Sequence, residues 1–197
     1  MATYNGRPYL EEQLESICRQ NVLPDELVIR DDGSTDGSLE VLARFEAQAP
    51  FPVRLLEPGA RLGVAGNFAA AIAATRSELV LLCDQDDVWA PQKVQVLRDV
   101  FAADPTLTLA VHDCELVDGD LVSAGDTTLG RLARIPGTPG DLLGMATAVR
   151  GPFARACVPI PDDWPETHDR WLQFCVRALG RKRLVHEVLA QYRRHEA

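Results

Sequence analysis

No apolar run in this chain approaches ~18 residues, so no membrane-spanning helix is predicted. The start carries no secretory-leader pattern. Basic residues are in the minority: 20 Lys and Arg stand against 29 Asp and Glu, giving a net charge of −9 and a pI near 4.9. That balance argues against a nucleic-acid-binding surface. Cysteines are few and scattered, at Cys18, Cys83, Cys114, Cys157 and Cys175. An odd count with no close pair excludes a disulfide framework and a zinc signature. Several lie in apolar runs and read as small buried hydrophobes. A reducing cytosol is the simplest compartment. There is no internal repeat and no low-complexity tract.

What is present describes a soluble α/β enzyme domain. A chain of 197 residues, 46% apolar and 25% charged, can bury one good core. The charge is uneven: residues 1–100 sum to −7 and residues 101–197 to −2. From Arg170 onward the chain is locally basic. Such a face suits an anionic acceptor or peripheral contact with a membrane surface, although an ordinary solvated face explains it as well.

Apolar spacing predicts strands alternating with helices. Pro8 with Leu10, Leu14 and Ile17 marks a first helix, and Leu27-Val28-Ile29 a buried strand. Leu39, Leu42 and Phe45 mark a second helix, 53–56 a strand and 64–75 a third helix. Strand 79–83, a helix opened by Pro91 and strand 107–111 follow. Residues 113–141 break the rhythm with Gly, Pro, Asp and Thr and read as loops and short strands. A strand over 144–149, a helix over 168–179 ended by Gly180, and extended structure over 184–192 complete the pattern. The alternation predicts a mostly parallel mixed sheet with helices on both faces. Ligands in such sheets bind beyond the carboxyl ends of the strands. Met1 to Gly6 reads as the exit of a strand that a parallel sheet usually needs near its centre; either residues ahead of Met1 supply it or the sheet is completed differently.

Two acidic clusters fall at strand ends. Leu79-Val80-Leu81-Leu82-Cys83 stops at Asp84-Gln85-Asp86-Asp87, three carboxylates within four residues. These repel one another unless a cation joins them, and their hard oxygens suit Mg²⁺ or Mn²⁺. An ion held there could hold a diphosphate. The second cluster, Arg30-Asp31-Asp32-Gly33-Ser34-Thr35-Asp36-Gly37, connects a strand to a helix. Turn and capping chemistry explains Gly33 to Ser38. It explains the doubled Asp31-Asp32 poorly. A calcium-loop reading from Asp32 fails because position twelve is Ala43.

With Ala2-Thr3-Tyr4-Asn5-Gly6, Leu62-Gly63-Val64 and Asn67-Phe68, these segments resemble, in order and spacing, the motifs of family 2 glycosyltransferases, most closely rhamnosyltransferase-like members. The resemblance implies a GT-A fold: a single Rossmann-like domain over 1–197. Its nucleotide-binding part spans about 1–112 and its acceptor and catalytic part about 113–197. It also implies inverting sugar transfer from a UDP- or dTDP-sugar, dTDP-rhamnose among them, to a carbohydrate or lipid-linked carbohydrate. The setting would be bacterial surface polysaccharide synthesis, in the cytoplasm or at the inner membrane face. Ala2, Thr3, Tyr4 and Asn5, with Asp31 and Asp32, would form the nucleobase pocket, Asp32 binding the base. Asp84 and Asp86 would be the D-x-D pair, Asp84 shared between ribose and metal and Asp86 on the metal. Asp87 would lie near the sugar. His168-Asp169-Arg170-Trp171 matches the segment carrying the catalytic base, Asp169, and His195 matches a metal-ligating histidine. Arg61 departs from the Asn common at its position. A catalytically silent nucleotide-sugar-binding module is the alternative. A sugar nucleotidyltransferase fits less well, because Tyr4 to Pro8 supplies no phosphate loop.

Overall fold

The computed structural model describes residues 1–57, 59–134 and 144–194. Its first half is built from β1 (Ala2–Thr3), α1 (Arg7–Cys18), β2 (Leu27–Asp31), α2 (Ser38–Gln48), β3 (Val53–Leu55), α3 (Gly63–Ala74) and β4 (Leu79–Leu81). Pro8 stands in the first turn of α1, where a missing N–H costs nothing. Leu10, Leu14 and Ile17 then form the helix's buried stripe. All five residues of β2 are buried, as expected of a strand covered on both faces. β1, β2 and β3 pair in parallel, with Ala2 opposite Arg30 and Thr3 opposite Asp31.

The second half adds β5 (Val88–Trp89), α4 (Lys93–Ala103), β6 (Leu109–Val117), β7 (Ser123–Thr127), α5 (Thr128–Leu132), β8 (Thr147–Arg150), α6 (Gly151–Ala156), α7 (His168–Leu179) and β9 (Lys182–Arg193). A second sheet runs β4-β8-β6-β9-β5, with β7 paired to β6. The β6–β9 pair is parallel and the others are antiparallel, so the fold is mixed α/β. α7 spans the predicted 168–179. The expected strand over 144–149 begins instead as one 3₁₀ turn, Gly144–Ala146, before β8. Gly144 packs so closely on His168 that a Cβ there would stand 2.6 Å from Nε2. The short β5 escapes the sequence pattern because two residues show no periodicity. Part of the irregular stretch over 113–141 resolves into β7 and α5.

Under the sheet, Lys93 is fully buried. Its Nζ donates to the Met145 carbonyl at 2.8 Å and lies 4.0 Å from the Trp89 ring centre. This long side chain closes the core beneath the acidic loop that follows β4. Among the described residues no helix is long and apolar enough to cross a membrane.

Candidate active site

The carboxyl ends of β1, β2 and β4 open onto one cleft of about 1240 Å³, counted to its mouth. Ala2, Thr3, Tyr4, Asp32, Asp84 and Asp86 all line it. On its far side stand Tyr192 and Arg194, carried by β9 and the residue after it.

The doublet after β2 divides its labour. Asp31 is committed to the turn: Oδ1 accepts from the Gly33 and Ser34 amides at 3.0 and 2.7 Å, and Oδ2 from the Thr3 and Ser34 hydroxyls at 2.8 and 2.6 Å. Asp32 turns to the cleft. Its Oδ1 accepts from Arg30 and the Leu62 amide, both at 2.7 Å, and its Oδ2 from the Gly63 amide at 2.8 Å. Burial pushes Asp32 up, but bonds from Leu62, Arg30 and Gly63 outweigh it and hold the carboxyl below its ordinary range. Oδ2 keeps capacity for one further donor. Arg30, itself buried, also donates to Asn67 Oδ1 at 2.8 Å and the Ala60 carbonyl at 2.8 Å. Asn67 returns a bond to the Thr3 carbonyl at 3.1 Å. This network ties β1, β2 and α3 together under the pocket.

Tyr4 is held by Gln85, whose Oε1 accepts from the Tyr4 amide at 2.8 Å and whose Nε2 donates to its carbonyl at 3.0 Å. Gly6 makes room for that clamp, since a Cβ there would lie 2.4 Å from Gln85 Oε1. Asn5 adopts a positive φ of 49° and closes the neighbouring loop, its amide donating to Ser34 Oγ at 2.8 Å. Arg61 reaches over the cleft, with its guanidinium 4.0 Å from the Tyr4 ring centre and 3.9 Å from Asp32 Oδ2.

The second cluster splits in the same way. Asp84 and Asp86 face the cleft, whereas Asp87 is fully buried and does not line it. Asp87 Oδ1 accepts from the Arg193 amide at 3.1 Å, and Oδ2 has no hydrogen-bond partner. Burial, then the charges of Asp84 and Asp86, raise Asp87 well above the usual carboxylate range. Arg193 pins the loop, Nε donating to the Asp86 carbonyl at 2.8 Å. Burial, then the charges of Asp86 and Asp169, push Asp84 up to about 7. Asp169, at the start of α7, is one of the charges that raise Asp84, but it is not among the residues that line the cleft. It is buried and accepts from the Thr167 hydroxyl. Its neighbour His168 stacks on Phe68 at 3.6 Å between ring centres, and neither ring nitrogen has a hydrogen-bond partner.

Among the described residues no three His, Cys, Asp or Glu side chains converge to hold an ion unaided. Two hard carboxylates facing one cleft fit an ion whose remaining ligands are substrate phosphates and water. Burial raises Asp84 most, and the repulsion from Asp86 that adds to it is what such an ion would relieve. His195 lies outside the described residues. Sequence reading passed over Gln85, Arg30, Arg193 and Lys93, because each acts through the backbone or beneath the surface. Gln85 between two acids was the one visible signal.

A parallel three-stranded half whose strand ends carry carboxylates, joined to a mixed sheet, is the architecture of the GT-A fold. The profile of "Glycosyl transferase family 2" matches residues 1–141, and the chain belongs to that family. It is 30% identical over its whole length to an uncharacterized glycosyltransferase of Nostoc sp., of which it covers 64%. Over 48% of its length it is 36% identical to the dTDP-rhamnosyl transferase RfbG of Shigella flexneri, covering 34% of that protein. The chain thus spans less than two thirds of these relatives. Among solved structures, Staphylococcus aureus TarS in complex with UDP-GlcNAc superimposes with a TM-score of 0.74 at 18% identity, covering all of this chain and 58% of that one. The mannosyltransferase PcManGT of Pyrobaculum calidifontis, in complex with GDP-Man and Mn²⁺, gives 0.74 at 21% identity, covering 97% and 55%. The fold is GT-A.

Proposed function

We propose that this chain is the donor-binding and catalytic unit of an inverting glycosyltransferase. It takes a sugar from UDP or dTDP and passes it to a hydroxyl of a carbohydrate or lipid-linked carbohydrate, in surface polysaccharide synthesis. Residues 1–112 form the donor part and residues 113–197 the acceptor part of one domain. The carrying observation is the single cleft at the carboxyl ends of β1, β2 and β4, which Asp32, Asp84 and Asp86 line together. Relatives named as a rhamnosyl and an abequosyl transferase support a deoxysugar donor. Scattered free cysteines suit a reducing cytosol.

The base stacks on Tyr4 and gives its imide N–H to Asp32 Oδ2, the acceptor left open by the Leu62, Gly63 and Arg30 bonds. Asp84 and Asp86 would hold Mg²⁺ or Mn²⁺. A bound divalent ion supplies Lewis-acid neutralisation of the leaving diphosphate. Asp169 takes the proton of the attacking hydroxyl as that hydroxyl displaces diphosphate in line at the anomeric carbon. His168, uncharged beside it, leaves the carboxylate free to act as base. Arg193 and Gln85 keep the D-x-D loop and Tyr4 in register.

Thermal shift with UDP or dTDP, with and without Mn²⁺, tests donor binding. The expected result is a metal-dependent rise in Tm that Asp86→Ala abolishes. A chain that no nucleotide stabilises would count as the silent module instead. For the base, Asp169→Asn should keep the nucleotide shift and lose transfer by about 10²-fold or more. Unimpaired transfer in that variant removes Asp169 from the mechanism.

A further inference from the structure

Asp169 does not line the cleft, so its approach to the donor is set by how the start of α7 is seated. The seat is the 3₁₀ turn Gly144–Ala146, buried throughout. A Cβ on Gly144 would stand 2.6 Å from His168 Nε2 and 3.6 Å from Asp169 Cβ, so the backbone of the turn lies against the two residues that open the helix. His168 also stacks on Phe68 of α3 at 3.6 Å between ring centres. A shift of the turn therefore passes to α7 rather than being absorbed by a loose ring.

Lys93 holds that turn. It is the first residue of α4 and is fully buried. Its Nζ donates to the Met145 carbonyl at 2.8 Å and lies 4.0 Å from the centre of the Trp89 ring. Trp89 follows Asp87 by two residues and is fixed in its own right. Its amide donates to Ser16 Oγ at 3.0 Å, and the next amide, of Ala90, to the Leu189 carbonyl at 3.0 Å. The Lys93 amide closes the short turn between them, donating to the Ala90 carbonyl at 3.0 Å. One side chain thus spans from the exit of the D-x-D loop to the turn that seats Asp169.

A buried ammonium is costly, and burial lowers the pKa of Lys93 to about 8. A methionine would fill similar space without that cost. What the lysine adds is a charge-assisted bond to one carbonyl and an attraction to one ring face. Together these fix a distance between two segments far apart in sequence.

We infer that Lys93 is a positioning residue for sugar transfer: by gripping the Met145 carbonyl from the Trp89 end of the acidic loop, it sets the spacing between the D-x-D carboxylates and Asp169. This rests on the proposed function, in which Asp169 is the base and Asp84 and Asp86 face the diphosphate.

The test reads release of UDP or dTDP from a panel of UDP- and dTDP-sugars with Mn²⁺, a signal that needs no added acceptor because water can take the sugar. On the donor that the wild-type chain turns over fastest, Lys93→Met should lower kcat by about 10–100-fold. Donor KM should stay within about twofold, and the nucleotide should still raise Tm. Added to Asp169→Asn, Lys93→Met should cost at most about twofold more, since a base that is absent cannot be misplaced. Lys93→Arg keeps the charge but moves the donor, so it should show the same fall in kcat and the same non-additivity. It carries the test where Lys93→Met gives no cooperative urea transition. Unchanged kcat in the Lys93 variants beside an impaired Asp169→Asn overturns this inference alone. So do losses that multiply in the double variant, which would mean that Lys93 supports the fold and not the base. Full turnover in Asp169→Asn overturns the proposed base, and this inference with it.

Discussion

His168 should make this protein acid-sensitive in a way that one substitution isolates. The ring is buried between Phe68 and Gly144, and neither nitrogen has a partner to accept or replace a proton's solvation. Burial lowers its pKa from 6.5 to about 4, against the opposing pull of Asp169. A depressed folded-state value means stability is intact above 6.5 and lost as pH falls toward 4. At about pH 5 the linkage relation gives a loss of about 2 kcal/mol, relative to about pH 7.5. The raw pH curve would hide this. Asp84, raised to about 7, contributes stability that is full below 3.8 and lost as pH rises through 7, the opposite sign in the same window. His112, also buried and lowered, adds to the acid loss. The difference between wild type and His168→Leu cancels both, along with any constant loss of packing. Urea unfolding at about pH 7.5 and about pH 5 should show the pH-induced change moving by about 2 kcal/mol in favour of the variant. Identical pH dependence in the two chains would refute the reasoning, because it would mean His168 charges as easily folded as unfolded.

Arg30→Met should cost about 3–5 kcal/mol in urea unfolding, because it strands the buried Asp32 carboxylate; a loss under ~1 kcal/mol would deny the pair its role. Gln85→Ala should raise donor KM about tenfold with kcat little changed, from two lost hydrogen bonds to Tyr4. Gly6→Ala should act through the same clamp, so steady-state kinetics of the double variant should show little further loss; full additivity would argue that the two act separately.

Positions that line the cleft were legible because strand ends announce themselves. An apolar run that stops at carboxylates, as at Cys83-Asp84, reports a sheet edge and its contents together. Helices α1 and α7 were legible from their stripes, and α3 from its Ala-rich run, within a residue or two. The supports were not. Arg30 reads as one more charge beside a strand, and Lys93 as a surface residue in an amphipathic helix, until tertiary packing buries both. β5 and β7 are set by their partners β9 and β6 and carry no pattern of their own.

The acidic doublets show where the limit lies. Both were visible as pairs, and in both the pair is divided: Asp31 serves the turn and Asp32 the cleft, Asp86 the cleft and Asp87 the core. Asp31 ends β2 and Asp32 follows it, where successive side chains point to opposite sides, so a split there is expected. Asp86 and Asp87 lie in the bend beyond β4, where no such alternation holds, and at both doublets the polarity depends on the donors that wait on each side. At Asp31 these are the Gly33 and Ser34 amides, and at Asp87 the Arg193 amide. The first two stand within three residues and are readable in principle. Arg193 comes from the far end of the chain, so the inward turn of Asp87 is a tertiary fact. For the same reason Asp87→Asn should act chiefly on the Arg193 junction and on stability, while Asp86→Asn acts on metal-dependent nucleotide binding.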